Sequence, residues 1–597
     1  VWFGETLVDP ATIQVVDHNR LVCKVPGGPV GRVDVRIQNP DGVFAELQEG
    51  FRYDAFYVDP ASGTVNGDTF VRLIGTDTTF DSTTTVAFNN EPLEDMAVVS
   101  PTMITGRTPP GQAGSAIVRI VGSDTTWEVD GAFEYYSGTD PVNGGLGGGP
   151  IQGELSVTLL DTYTDEPIED AYVILGASET TPYQGHTDAM GRIVFSDPDL
   201  TGPQMVTAAH DDYERVSFVA FDAREVTAFL TPFVPPTPGT FPGISYSNGY
   251  GKIYFGGVES TGDPCNWGSF LPEPDPGYTR TIKVYQTVPD VDYPAPRPGA
   301  DGIIREGEDC EGGHAFAIYT RPGAYAVYAM AGMENDDTGE FTPLIMGITR
   351  GIVTAPGETK EADIWVDLSL SESFDVELQD PPPLDDLLGP SLYRTSLFLD
   401  LGGDGFLVRE DHVIDTTEAT QLITFDRIAG TFGAISDGSY AVQVQAYNYG
   451  TYPYSEVYKN DVNVFSPNPL VVGDFLGIPT AVSPEPNGEL NDSRMTWSAE
   501  GAEPTFHVIY IRTYPEGDSF WRLYLNGDVN SFTLPDMASL GDLAGYPAGP
   551  MIWHIYANVV PGMDFNEFSY RYMSDRYWTA TAAASYNFQF GTLSEGP

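Results

Sequence analysis

Period two runs through the sequence. Leu155-Ser156-Val157-Thr158-Leu159 alternates apolar and hydroxyl residues, and Gly31-Arg32-Val33-Asp34-Val35 sets valines between charges. Ala324-Tyr325-Ala326-Val327-Tyr328-Ala329 and Trp553-His554-Ile555-Tyr556-Ala557 extend the pattern. Successive side chains of a strand point to opposite faces, so these runs predict strands with one face in a core. Clusters of Gly, Pro, Asn and Asp separate them at short intervals, as hairpins and sandwich turns require. No stretch sustains helical periodicity; short helical turns are expected near Leu384-Asp385-Asp386-Leu387-Leu388. No apolar run reaches the roughly 18 residues that a spanning helix needs, so no membrane span is expected within these residues. A chain of 597 residues exceeds what one core can serve. The pattern predicts an all-β protein of about six β-sandwich domains in series, forming an elongated rod.

One block of the pattern occurs twice. Val1-Trp2-Phe3-Gly4, Pro26-Gly27-Gly28, Gly31-Arg32-Val33-Asp34-Val35, Asn39-Pro40-Asp41-Gly42 and Gly50-Phe51-Arg52-Tyr53 return as Val86-Ala87-Phe88-Asn89, Pro110-Gly111, Gly114-Ser115-Ala116-Ile117-Val118 and Gly131-Ala132-Phe133-Glu134-Tyr135. Phe133 follows Phe51 by 82 positions and Gly114 follows Gly31 by 83, the length of a whole sandwich domain. As a set these elements resemble the IPT/TIG family of immunoglobulin-like domains. The second copy departs at Asn89 and at Val121-Gly122-Ser123. The resemblance implies a surface spacer or binding module with no shared catalytic residue. The second copy starts near Tyr57-Val58-Asp59-Pro60, well before Val86, whereas nothing precedes Val1. The first domain, 1–54, is therefore expected to lack its N-terminal strands. The chain then opens inside a domain of a longer polypeptide; the alternative is a sandwich completed by a neighbour's strand. The second domain is 55–136.

The remaining organisation follows from composition shifts. Residues 137–152, with Asn143-Gly144-Gly145-Leu146-Gly147-Gly148-Gly149, read as a flexible Gly-rich linker. Residues 153–233 carry Pro167-Ile168-Glu169-Asp170-Ala171-Tyr172-Val173, Thr187-Asp188-Ala189-Met190-Gly191 and a late Asp212-Tyr213. This is similar to the carboxypeptidase regulatory-like (Cna-B-like) family, with Asp212 in place of the expected Gly. The Lys–Asn cross-link of some relatives does not carry over, because no lysine lies between Lys24 and Lys252. Residues 234–242 are a Pro-rich linker, 243–370 a sandwich with a long decorated loop, and 371–476 a further β-domain. Residues 477–597 combine Pro484-Glu485-Pro486, the strand tryptophan Trp497, Leu534-Pro535 and an aromatic late strand; they resemble a fibronectin type III domain.

Charge narrows the partners. Asp+Glu 85 against Lys+Arg 28 gives a formal −57, which repels phosphate backbones, so nucleic acid is not an expected partner. With so many aromatic residues, the charge belongs on folded surfaces rather than on a disordered acidic chain. Cys265 and Cys310 sit in Gly/Asp/Pro-rich sequence and are expected to form a disulfide in an oxidising compartment; Cys23, between Val22 and Lys24, reads as a small buried hydrophobe.

Catalytic signatures are mostly absent. The seven histidines are scattered, and there is no His-Glu-x-x-His, Gly-x-Ser-x-Gly or phosphate-binding loop. His554 is expected to be structural and His314 to face solvent from a loop. Asp400-Leu401-Gly402-Gly403-Asp404-Gly405, continuing to Asp411, has the spacing of an EF-hand-type calcium loop, with Gly402 and Asp411 departing from the ligand pattern. Asp400, Asp404 and Asp411 are thus the candidate calcium ligands, and a plain hairpin is the competing reading. Trp267 and the tyrosines Tyr447, Tyr449, Tyr452 and Tyr454 are candidate ligand contacts, because aromatic faces stack on sugars and tyrosines serve protein contacts; packing between neighbouring domains competes.

The sequence reads as a non-enzymatic extracellular protein of a bacterial cell surface: a stalk, appendage or filament subunit that associates with itself or with other surface proteins. Two other readings stand beside it: an adhesin or glycan-binding protein, and the accessory region of a larger secreted enzyme.

Overall fold

The computed structural model describes residues 1–590 except 9–13, 16–20, 40–43, 137–143, 235–246, 256–264, 289–299, 380–391, 416–419, 463–468, 516–518, 536–548 and some isolated positions, Tyr449 among them. The helical turns expected at 384–388 and most of the Pro-rich linker lie outside the described residues. Within them the protein is all-β, and its helical elements are 3-10 turns of three or four residues.

Residues 55–136 form a two-sheet sandwich. One sheet runs in the order Glu91–Pro92, Thr85–Phe88, Gly114–Val121, Thr126–Tyr136, Ser62–Thr64; the other runs Glu94–Ser100, Met103–Arg107, Phe70–Gly75, Phe56–Asp59. The alternation in Gly114–Val121 is obeyed strictly: Ala116, Val118 and Ile120 are buried, and their neighbours face solvent. Phe133 meets Phe88 and Tyr135 edge-on at 5.3 and 5.0 Å, and Tyr135 Oη donates to the Pro109 carbonyl at 2.8 Å.

The first copy repeats this chemistry. Its sheet, Thr6–Leu7, Trp2–Phe3, Gly31–Gln38, Phe44–Tyr53, matches the first four of the five strands of the second copy's sheet, in the same order. Phe51 meets Phe3 and Tyr53 at 5.0 Å each, and Tyr53 Oη donates to the Pro26 carbonyl at 2.6 Å. The Pro-Gly turn follows from this packing. A Cβ on Gly28 or Gly111 would lie 2.5 or 2.6 Å from the ring of Tyr53 or Tyr135. The closing tyrosine needs a glycine beneath it.

From residue 144 onward the expected serial rod does not hold. In 153–233, the sheet Gln184–His186, Tyr172–Leu175, Gln204–His210, Tyr213–Phe221 continues edge to edge into the C-terminal module. There it runs through Ser519–Asn526, Phe506–Thr513, Pro550–Val559 and Ala580–Phe590. It then passes into 371–476 through Tyr454–Val462, Ser439–Tyr447, Leu392–Asp400 and Phe406–Asp415. The last module in sequence thus stands between the third and the fifth in space. Free strand edges expose unpaired backbone groups, and joining edges satisfies them. The module 243–370 has its own seven-strand sheet path and shares a core with 371–476.

The Gly-rich linker is also corrected. Gly145–Gly147 is a buried edge strand beside Glu225–Leu230, and Leu146 N–H donates to the Phe568 carbonyl at 2.8 Å. Gly145 has φ +131°, and a Cβ there would lie 2.1 Å from the Phe568 carbonyl oxygen. Its glycines allow close backbone approach; residues 137–143 lie outside the described residues.

Candidate functional site

Two strand seams and one polar junction join modules of the block, and four sequence-expected site residues, Tyr452, Tyr454, Asp400 and Asp404, fall in them. The first seam pairs Tyr213–Phe221 with Ser519–Asn526 in parallel, from Arg215↔Trp521 to Val219↔Leu525. Trp521 is fully buried; its Nε1 donates to Ser217 Oγ at 2.8 Å, and Ser217 and Thr207 hydroxyls lie 2.7 Å apart. The Arg215 guanidinium lies 4.8 and 5.2 Å from the rings of Phe520 and Trp521, a cation–π arrangement. On the other face Glu214 pairs with Arg522 at 2.6 Å, and Phe218 stacks on Tyr524 at 5.1 Å beneath Phe568.

The second seam pairs Tyr454–Val462 with Ala580–Phe590, from Tyr454↔Ala583 to Val457↔Ala580. Here the tyrosine candidates divide. Tyr452 hydrogen-bonds Tyr556 through the two hydroxyls, and its ring lies 5.7 Å from Tyr454 and 5.0 Å from His554. Burial raises the Tyr454 and Tyr556 phenols far above their usual range and pushes the His554 imidazole down to about 4. Tyr452 and Tyr454 therefore fasten 371–476 to the C-terminal module. Tyr447 lies under the Arg394 guanidinium, 5.5 Å from its ring centre, and Tyr449 lies outside the described residues. Behind this seam Glu456 accepts hydrogen bonds from Tyr458 and Gln445, and burial raises its carboxyl pKa.

The candidate calcium loop forms the junction. A 3-10 turn at Gly402–Asp404 joins two strands, and Asp400 and Asp404 each already hold a cation. Arg350 of the preceding module lies 2.8 Å from Asp404 Oδ2, while Gly351 N–H donates to Asp404 Oδ1 at 2.9 Å. Arg576 of the C-terminal module lies 2.8 Å from Asp400 Oδ2, while Gly402 N–H donates to Asp400 Oδ1 at 2.8 Å. Where the spacing suggested a calcium shell, the carboxylates of Asp400 and Asp404 meet arginines from both neighbours. Asp411 is on the strand Phe406–Asp415, and its side chain lies outside the described residues. Beneath the ion pairs, Val288, Phe398, Phe406, Tyr458 and Trp578 bring three modules into one small core. Among the described residues no three His, Cys, Asp or Glu side chains gather as a metal site.

Cys265 and Cys310 are joined by a disulfide, and Cys23 is a half-buried free thiol. Trp267, a candidate ligand contact with packing as the competing reading, is buried at 5% exposure, 5.2 Å from Phe255 and 5.1 Å from His314. The disulfide-bracketed stretch folds its tryptophan inward because Phe255, Phe316 and Leu271 offer an apolar wall. His314 is likewise buried, on the strand His314–Thr320 rather than in a solvent-facing loop, and burial lowers its pKa.

Sequence reasoning missed Arg350, Arg576 and the Glu214–Arg522 pair. A signal existed: in a chain so poor in basic residues, Arg522 stands between Trp521 and Leu523 on a strand, where a charge needs a partner.

Residues 57–135 match the IPT/TIG domain family. No curated protein matches the chain. Among solved structures, the γ-CGTase of an alkalophilic Bacillus clarkii is 14% identical at TM-score 0.13, over 34% of this chain and 32% of that one. The chain thus spans about a third of that enzyme's length. A streptococcal ancillary pilin is 10% identical at TM-score 0.13, over 45% of this chain and 80% of the pilin. SGBP-B from a xyloglucan utilization locus of Bacteroides uniformis is 11% identical at TM-score 0.13, over 55% of this chain and 80% of that protein. Among the described residues no helix is long and apolar enough to cross a membrane, which says nothing of β-barrels. Over residues 57–135, this protein contains an IPT/TIG domain.

Proposed function

We propose that the chain is a non-enzymatic structural protein of an extracellular bacterial surface, part of a stalk, appendage or filament, with an IPT/TIG arm ahead of a welded multi-module block. The observation that carries this reading is the continuous sheet: main-chain pairing joins 153–233, 477–590 and 371–476, so the block resists separation as a folded core does. The Cys265–Cys310 disulfide supports an oxidising compartment, and a large negative surface charge keeps an exposed protein soluble. Its partners in this reading are further copies of itself or other surface proteins. The specific resemblances of 153–233 to a Cna-B-like domain and of 477–597 to a fibronectin type III domain fit the same picture.

The test is immunogold electron microscopy of source cells. Labelled projections or ordered fibres at the surface support the proposal. A dispersed protein that never associates with the surface overturns it.

A further inference from the structure

A groove of about 580 Å³ opens on the outward face of the sheet formed by Gln152–Asp161, Arg192–Thr201 and Glu225–Leu230, away from every seam residue described above. Its floor consists of hydroxyls. Ser156 stands opposite Glu225, and Thr158 stands opposite Thr227 on one side and Arg192 on the other. Directly paired residues share a face, so these side chains point together into the groove.

One rim is a rigid turn. Asp188 Oδ1 accepts the backbone N–H groups of Met190 at 2.9 Å and Arg192 at 3.0 Å. Arg192 Nε donates to Ser156 Oγ at 2.8 Å, and among the described residues its guanidinium forms no ion pair. Arg224, Glu225 and Glu154 also line the groove. Met190 is 69% exposed beside this polar floor.

The chemistry of the lining selects a ligand by exclusion. An anion would meet Glu154, Asp188 and Glu225 on a chain that already carries −57. A cation would meet two guanidiniums. An apolar ligand would strip water from five charged groups without hydrogen-bonding any of them. A ligand rich in hydroxyls suits this lining, because a hydroxyl can donate to a carboxylate and accept from a guanidinium or from Ser and Thr. The exposed thioether of Met190 supplies an apolar contact for ring C–H groups. The volume falls within the range of roughly 300–1,000 Å³ typical of small-ligand sites.

We infer that this groove binds a neutral sugar, one or two residues of a glycan chain, with Arg192 as the main donor. The inference goes beyond the structural role and is independent of it, since no seam residue lines the groove.

The test is isothermal titration calorimetry of the full 597-residue chain against cello-, xylo-, manno- and maltotetraose at millimolar concentration, with galacturonate oligosaccharides as the anionic comparison. Arg192 is exposed, so Arg192→Ala should leave the melting profile unchanged. Binding of at least one neutral tetrasaccharide, weakened about tenfold or more by R192A, supports the inference. Three outcomes overturn it: no binding by any of the four, binding indifferent to R192A, or tighter binding of the galacturonates. None of them bears on whether the protein sits in a surface fibre.

Discussion

The IPT/TIG domain builds its core from its own side chains: every residue clustered with Phe88 and Phe133 lies between Ala55 and Tyr135. The modules after residue 144 do not. The core of 153–233 includes Phe506, Val508, Tyr524, Phe565 and Phe568 from the other end of the chain. The core of the C-terminal module includes Tyr172, Ile174, Ala209 and Val219. Both regions are sandwiches with the same strand periodicity. The difference lies in their sheet edges, which stay within the domain at 55–136 and are shared between modules in the block. A self-contained sandwich should unfold alone, whereas edge-shared sandwiches should unfold together.

The largest effect comes from the first seam. Trp521→Ala removes a fully buried ring and leaves Ser217 without its indole donor, so it should destabilise the block by about 3–5 kcal/mol. Phe133→Ala should remove a similar amount from the IPT/TIG domain alone. Differential scanning calorimetry should show two transitions, each variant lowering only its own. If W521A moved both together, the separation between arm and block would be lost.

The junction comes next. Arg350→Ala leaves the mostly buried Asp404 carboxylate without its cation and frees the Leu401 carbonyl, for a loss of about 3 kcal/mol. Urea unfolding of the block should shift to a lower midpoint while the IPT/TIG transition keeps its place. An unchanged block midpoint would mean that Arg350 is a solvated surface contact.

Acid should separate the two regions further. No histidine lies between residues 57 and 135, whereas the block buries His314 and His507 and half-buries His554. Burial depresses His507 to about 4 against an unfolded value near 6.5. Between those values the unfolded chain binds the proton and the folded one does not, so stability falls as pH drops below 6.5. At pH 5 the His507 contribution is a loss of about 2 kcal/mol. Melting from pH 7.5 to 5 should lower the block's transition relative to that of the arm, and His507→Phe should flatten the slope. An equal slope in wild type and variant would count against a buried neutral imidazole.

Much of the fold was legible because a strand announces itself through side chains. The alternation at Gly114–Val121 faces its core as read, Leu155, Val157 and Leu159 are buried as read, and the repeat carried its own packing rule in the Pro-Gly turn and the closing tyrosine. Edge joining was not legible, because it is made by backbone groups that every residue owns. The glycines at 144–149 were ambiguous for a related reason: the same absence of Cβ permits either a flexible link or a close approach. The tyrosines of 447–454 were visible as a cluster, but a ring that stacks on sugar and a ring that stacks on His554 look alike in one dimension. Buried polar pairs such as Glu214–Arg522 connect residues some three hundred positions apart, beyond any local pattern.

A pair of glycine substitutions sharpens the contrast between strand and linker. Gly145→Ala and Gly114→Ala both place a side chain at positive φ, +131° and +117°. At Gly114 the added Cβ meets nothing within 4 Å, so backbone strain alone remains, about 1 kcal/mol on the IPT/TIG transition. At Gly145 the Cβ would also strike the Phe568 carbonyl, which should bring the loss on the block to about 2 kcal/mol. Equal small losses would return residues 144–149 to the role of a loose tether.

The smallest expected effect concerns calcium. Asp400 and Asp404 each hold an arginine and a backbone N–H, and displacing Arg350 and Arg576 would leave two guanidiniums without their carboxylates. A calcium ion must therefore compete with two internal cations for the same oxygens. Millimolar calcium or excess EDTA should leave the block's transition unmoved, and the same additions should leave the IPT/TIG transition unmoved. Stabilisation of the block by calcium, abolished by Asp404→Asn, would restore the loop as a metal site and make the arginines its resting-state substitutes.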